Sequence, residues 1–197
     1  QFAFDTAYHE HLRYYTLGSL TRLFDSHGLN IIDAEITDFY GGSVLVYATK
    51  DSSSPSENVA SILREEEETD IVQSLKAMKT KLMDNKVRLL NLLVDLKSSG
   101  KRVVGIGAPM KASTLLNFYG ITPDIIEYIA EVNQLKVGTL LPGVGIPVLD
   151  EELLFKDPPE YAILLTWNMA KDIVPKYRSM GYTGKFILPV PEVRVIE

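Results

Sequence analysis

Residues 101–120 read KRVVGIGAPMKASTLLNFYG. Arg102 to Ile106 is a short apolar strand, Gly105 to Pro109 a tight loop, and Lys111 to Tyr119 a helix. The alternation continues downstream. Ile125 to Val132 contains a strand, Pro142-Gly143-Val144-Gly145 is an irregular loop, and Asp150 to Phe155 is a short helix capped by Asp150. Tyr161 to Thr166 is a strongly apolar strand. Asn168 to Met180 is a helix with Pro175 inside, which predicts a kink or early break, and Lys185 to Leu188 is the last strand. Strands alternating with helices over ~90 residues define an α/β fold, a Rossmann-like parallel sheet with flanking helices.

Upstream, Ile71, Leu75, Met78, Leu82, Leu89, Leu93 and Leu96 recur at three- and four-residue steps, with one missing beat near Asn85. This predicts a long helix that stops at Ser98-Ser99-Gly100. The acidic run Glu65 to Glu68 is placed near its start, where the helix dipole favours negative charge, and reads as a solvated face. Residues 51–58, DSSSPSEN, read as a linker. Residues 1–50 form a small α/β segment. Thr16 or Ser19 caps a helix through about His27, Leu29 to Glu35 is a strand, Gly41-Gly42 a turn, and Ser43 to Thr49 a second strand. A helix and two strands are too little to make a sheet alone. Three regions are therefore expected, with boundaries at 1–50, 51–100 and 101–197.

The chain has 197 residues and a formal net charge of −6, from 20 Lys+Arg against 26 Asp+Glu. Phosphate-backbone binding needs a basic stripe, so no nucleic-acid partner is expected. There is no Cys, which excludes disulfides and thiolate metal sites. No apolar run approaches the ~20 residues of a membrane helix, and no signal peptide opens the sequence, so a cytoplasmic protein with no membrane partner is expected. The first residue is Gln1 rather than Met, and QFAFDTAY carries no start signal, which points to a fragment or a processed chain.

Three groups of residues could carry chemistry. Gly105, Gly107, Ala108, Pro109 and Lys111, with Ser113 and Thr114, follow a strand and open a helix. Such a loop can offer free N–H groups and a positive dipole end to a phosphate, or it can be a plain strand-to-helix turn. It lacks the third glycine of the dinucleotide fingerprint and the spacing of a Walker loop. Tyr8-His9-Glu10-His11 places two imidazoles beside a carboxylate and a phenol, a set suited to proton transfer near neutral pH or to a polar turn. His-x-His could bind a metal, but no third ligand is evident, so no metal is expected. Glu131, Asn133, Lys136, the Pro142-Gly143 loop, Trp167 and Asn168 lie near the C-terminal ends of predicted strands, the edge where open α/β sheets bind ligands. Nicotinamide chemistry is disfavoured, because there is no third glycine and no clear acidic residue ends the second strand about 20 residues on, Asp124 being too near a turn.

In order along the chain, FDTAYHEHLRYY, GGSVLVYA, GIGAPMKASTLLNFYGI, EVNQLKVGTLLPGVGIPV, LLTWN and PVPE resemble the sugar C-methyltransferase family. These enzymes use S-adenosylmethionine to methylate a carbon of a nucleotide-linked keto-sugar. The resemblance implies a zinc-binding N-terminal domain and a central methyltransferase domain, both upstream of what is seen here. Residues 1–50 would be the helix and strands that end a class I methyltransferase sheet, and 101–197 the Rossmann-like C-terminal domain. The glycine-rich S-adenosylmethionine loop and the zinc cysteines are absent from this sequence, so the chain alone is expected to bind the nucleotide-diphosphate-linked keto-sugar without methylating it. A non-catalytic nucleotide-sugar binding module is the alternative.

The resemblance also implies roles. The histidine closing Tyr-x-Glu-His, here His11, would take the proton next to the ketone, and Tyr8 and Glu10 would orient it or contact the sugar. From the geometry of a strand-to-helix loop, and not from the resemblance, the GIGAP loop, Lys111 and Ser113 would face the diphosphate or sugar. The family commonly shows an aromatic residue where this chain has Ile106, Gly-Asn where it has Ala112-Ser113, and histidine where it has Gly145.

Overall fold

A computed structural model describes residues 3–39 and 42–197. The Gly41 half of the expected Gly41-Gly42 turn lies outside the described residues. The chain forms two compact units, one of His11–Thr80 and one of residues 3–10 with Lys81–Glu197.

In the first unit, helix α1 (Leu17–Asp25) opens with both residues proposed for its cap. Thr16 Oγ1 accepts the Ser19 N–H, and Ser19 Oγ accepts the Thr16 N–H, a reciprocal capping box. Strands β1 (Asn30–Thr37) and β2 (Ser43–Thr49) pair antiparallel, with an irregularity between Ile31 and Asp33. Helix α2 (Glu57–Glu68) follows, so only the first part of the expected linker is irregular. Ser56 caps it by accepting the Val59 N–H. The core is small: Leu17, Ile31, Ala34 and Val59 are buried, and Leu20, Phe24, Val46 and Leu63 pack against them.

The acidic run is displaced from its predicted place. Thr69 and Asp70 divide the expected long helix, so Glu65–Glu68 ends α2 rather than beginning helix α3 (Ile71–Ser98). Asp70 instead receives the Gln73 N–H at the start of α3. The dipole argument still applies, to a different helix. Glu66 Oε1 and Oε2 accept the Leu17 and Gly18 N–H groups at 2.6 and 2.9 Å, placing a carboxylate on the free donors of α1.

The second unit is a six-stranded sheet in the order β5-β4-β3-β6-β7-β8. Its strands are β3 (Val103–Ile106), β4 (Ile129–Glu131), β5 (Val148–Asp150), β6 (Tyr161–Leu164), β7 (Lys185–Leu188) and β8 (Arg194–Ile196). All pairs are parallel except β7 with β8. Counting from β3, the order is the 3-2-1-4-5-6 of a doubly wound Rossmann sheet with its last strand reversed. β3 is buried along its length, as a central parallel strand must be. Val103, Ile163 and Ile187 face one cluster with Leu89 and Leu93 of α3 and Leu115 of helix α4 (Met110–Tyr119). Val104, Ala162 and Phe186 face the other, with Leu154 of helix α5 (Leu153–Lys156) and Tyr177 of helix α6 (Ala170–Ser179). Helices thus cover both faces.

Four details depart from the sequence expectation. Asp150 ends β5 instead of capping a helix, and α5 begins at Leu153 with no side-chain cap. β5 has only three residues, too few to show an alternation. Trp167–Met169 is a 3-10 turn, and α6 runs through Pro175 to Ser179, so the proline does not end the helix early. β7 is not the last strand: β8 returns antiparallel along it after the proline-rich turn.

The missing beat at Asn85 is a buried polar contact. Its Nδ2 donates to the Pro189 carbonyl at 2.6 Å and to Tyr119 Oη at 2.9 Å, and its Oδ1 accepts the Val193 N–H at 3.1 Å. Asn85→Ala leaves a buried carbonyl and N–H without partners, a loss of at least about 2 kcal/mol. Denaturant unfolding followed by fluorescence of Trp167, the sole tryptophan and a member of this unit, is expected to show the midpoint falling by that equivalent.

Candidate functional site

The β3–α4 loop leaves the central strand at the point where the chain has β4 on one side and β6 on the other. Ligands of open α/β sheets bind in the crevice outside this switch point. Gly107 has φ 80°, and a Cβ there would stand 2.8 Å from Thr166 Cγ2, so both its conformation and its space call for glycine. The loop is held from two directions. Ala108 N–H donates to Glu131 Oε2 at 2.7 Å, while Lys136 Nζ donates to the Ala108 carbonyl at 2.8 Å. Glu131 Oε1 accepts the N–H groups of Val132 and Asn133, both at 2.9 Å. An acidic residue therefore does end β4, contrary to the sequence expectation. It is buried and both oxygens serve backbone donors, so it is a loop anchor and not a ribose ligand.

Beside this loop lies a cavity of about 320 Å³. Tyr8 and His9 contribute from the N-terminal segment. Ala108, Pro109, Met110, Ser113 and Thr114 contribute from the loop and the first turns of α4. Lys136 and the stretch Thr139–Pro142 contribute from the β4–β5 connection, and Val148 from β5. The walls are mainly apolar, with a few polar groups that can orient a ligand. Ser113 Oγ donates to the Pro142 carbonyl at 2.9 Å.

The other predicted residues sit apart from the cavity lining. Lys111 Nζ bonds to Asn168 Oδ1 and lies 4.6 Å from the centroid of the Trp167 ring. Trp167 Nε1 donates to Asp5 Oδ2 at 2.6 Å. Asp5 is fully buried, and its Oδ1 has no hydrogen-bond partner. Burial pushes the Asp5 carboxyl above its ordinary 3.8, against the Trp167 bond and the Lys111 charge, which pull it down. Burial likewise lowers Lys111, against the attraction of Asp5. Desolvation thus outweighs mutual attraction for both partners.

The structure therefore divides the sequence candidates. Tyr8, Ala108, Pro109, Ser113 and Lys136 meet at the cavity, with Gly107 shaping the loop above Thr166. Gly105 lies within β3, where a Cβ would meet Leu165 Cδ1 at 3.0 Å and Ile129 Cγ1 at 3.1 Å. Lys111, Trp167 and Asn168 form one cluster with Asp5. Asn133 is exposed, and its Oδ1 accepts the Leu135 N–H in a turn. Glu10 is exposed. His11 is exposed and belongs to the first unit, its ring edge-on to Tyr14 at 6.4 Å. Asp5 was missed by the sequence reading. Its signal was a lone charge between Phe4 and small residues, in a segment read for its histidines.

Among the described residues, no group of three His, Cys, Asp or Glu side chains could hold a metal ion. No described helix is long and apolar enough to cross a membrane. A model of the C-methyltransferase C-terminal domain family matches residues 38–191. The C-methyltransferase NovU of Streptomyces niveus is 36% identical over 198 aligned residues, which cover 98% of this chain and 47% of that protein. The chain belongs to the C-methyltransferase C-terminal domain family. It spans about half the length of the curated relative it matches.

Asp5→Asn tests the electrostatics of the cluster. The variant keeps an acceptor for the Trp167 N–H and removes the charge. Because the folded carboxyl is raised above 3.8, the native state holds its proton more tightly than the unfolded chain, and wild-type stability falls as pH rises from 3.8 through the folded value. Thermal unfolding across that window is expected to show Asp5→Asn gaining on wild type as pH rises, with the gain levelling off once the wild-type carboxyl is ionised in the fold.

Proposed function

We propose that this chain is the C-terminal part of an S-adenosylmethionine-dependent C-methyltransferase acting on a nucleotide-linked keto-sugar. The observation that carries the reading is the cavity of the second unit. It brings Tyr8 and His9, neighbours of Glu10 and His11 in the Tyr-x-Glu-His motif, together with the β3–α4 loop and Lys136. Membership of the C-methyltransferase C-terminal domain family supports the reaction class, and so does the similarity to the C-methyltransferase NovU of Streptomyces niveus.

The residues present do not fit the methyl donor. The Ala108 N–H is already given to Glu131 and the Lys111 ammonium to Asn168 and the Trp167 ring, so the β3–α4 loop is no cradle for S-adenosylmethionine. We assign donor binding to the methyltransferase domain that the resemblance implies, of which residues 1–50 would be the last helix and strands, with the zinc domain before it. This chain's contribution is on the sugar side. Ser113, Lys136 and Tyr8 orient the nucleotide-sugar within mainly apolar walls. The His11 imidazole takes the proton from the carbon next to the ketone. The C–H bonding pair passes into the enolate, whose oxygen gathers the charge, and Glu10 and Tyr8 orient the imidazole.

A nucleotide-sugar binding module without chemistry of its own is the second reading, favoured by the cavity lying wholly within one unit. Methyl transfer by a protein joining this chain to its donor domain separates the two. His11→Ala is expected to cut kcat by about 10²–10⁴-fold, the usual range for a general base, while calorimetry shows nucleoside diphosphate affinity unchanged. Exchange of solvent deuterium into the substrate carbon should fall in parallel. Unchanged turnover would remove His11 as the base. The chain by itself is expected to bind a nucleoside diphosphate and not S-adenosylhomocysteine; tight binding of the latter would overturn the assignment of the donor site.

A further inference from the structure

Burying a carboxylate is costly, and a side chain as short as aspartate is kept there only where it holds something in place. Asp5 stands on a 3-10 turn, Phe4–Thr6, whose Phe4 packs against the main core of the second unit. The Phe4 ring lies 4.9 Å from that of Phe118 and 5.8 Å from that of Tyr119, and Thr114 Oγ1 reaches the Ala7 carbonyl at 3.5 Å. The Trp167 Nε1–Asp5 Oδ2 bond, at 2.6 Å, is a short polar tie of this segment to the turn after β6. The indole is itself fixed. The Lys111 ammonium lies against its ring and is tied to Asn168, the next residue along the chain. Beyond the turn come Tyr8 and His9, which line the cavity, then Glu10, to which His11 is directly bonded.

We propose that the Asp5–Trp167 hydrogen bond is a latch that seats residues 4–10 within the second unit, making Asp5 a positioning residue for Tyr8 and Glu10. The proposal rests on the methyl-transfer function argued above. Within it, Lys111, Trp167 and Asn168 hold the chain segment and do not touch the substrate. The bond needs an acceptor at residue 5, and the fixed indole gives it a single direction. Catalytic groups displaced by about 1 Å lose on the order of 10²-fold in rate, so a loosened segment would be read mainly in kcat.

The test uses Asp5→Ala, Trp167→Phe and Asp5→Asn in the protein that carries this chain with its methyl-donor domain. Trp167→Phe keeps an aromatic ring in the same packing and so separates the bond from the fold. The Thr6, Ala7 and Tyr8 amides are hydrogen-bonded within the turn, and their hydrogen exchange reports its order. In Asp5→Ala and Trp167→Phe they are expected to exchange at least about tenfold faster, while β3, β6 and β7 keep their protection. The value of kcat should fall on the order of 10²-fold, more than KM rises. Asp5→Asn, which keeps an acceptor, should restore most of both. Exchange at those amides equal to wild type overturns the latch, and faster exchange with unchanged kcat overturns the positioning role. A wild-type protein that transfers no methyl group overturns the proposed function alone, and the exchange measurement still decides the latch.

Discussion

Strand β3 is hydrogen-bonded on both sides and packed on both faces, and a Cβ at Gly105 would press tightly on its neighbours. Leu165 and Ile129, from the two sides of β3, close to within 3.0–3.1 Å of where a Cβ would stand. The missing side chain at Gly105 lets residues from both flanks pack close over β3. The loop after β3, the turn after β6 and the Glu131 anchor at the end of β4 all inherit their positions from it. A cavity assembled from four separate stretches of chain can keep its shape only if the strands that deliver them do not move apart.

The polar groups around the β3–α4 loop are largely spent on one another. Glu131 takes three backbone N–H groups, Lys136 reaches the Ala108 carbonyl, and Ser113 reaches Pro142. A glycine loop at a helix start is often equated with an anion cradle, yet here an internal carboxylate already occupies one of its donors. What remains is a rim around a mainly apolar space, with Tyr8, Ser113 and Lys136 among the polar groups on its lining.

Much of the architecture could be read from residues alone. The strands at 103–106, 161–164 and 185–188 are continuous apolar runs, the pattern of strands buried on both faces. β5 and β8 escaped because each is three residues long with no longer apolar stretch around it, whereas the equally short β4 sits within the apolar-rich 125–132. The division of α2 from α3 escaped because Thr69-Asp70 interrupts the apolar beat for too short a span. The helix through Pro175 was read as interrupted because local preference ignores the packing of Tyr177 against Leu154 and Phe155. At the site, residue types were legible and pairings were not. Lys111 and Trp167 were both picked out, but a bond between residues 5 and 167 is a tertiary fact that no local spacing encodes.

The leucine seam of α3 has a degeneracy that Asn85 removes. Leu82, Leu89 and Leu93 are alike in shape and spaced by whole turns, so an all-apolar seam would tolerate slippage along the helix axis. Moving one turn either way would bring Lys81 or Leu89 to the place of Asn85. Neither residue can accept the Val193 N–H, which would then be stranded at about 1–3 kcal/mol. One amide therefore gives the helix a single longitudinal address, as an isolated polar residue does in a coiled-coil seam. Its two backbone partners lie between β7 and β8, so the same amide that sets the helix along its axis also marks where the chain turns back to add the sheet's final strand.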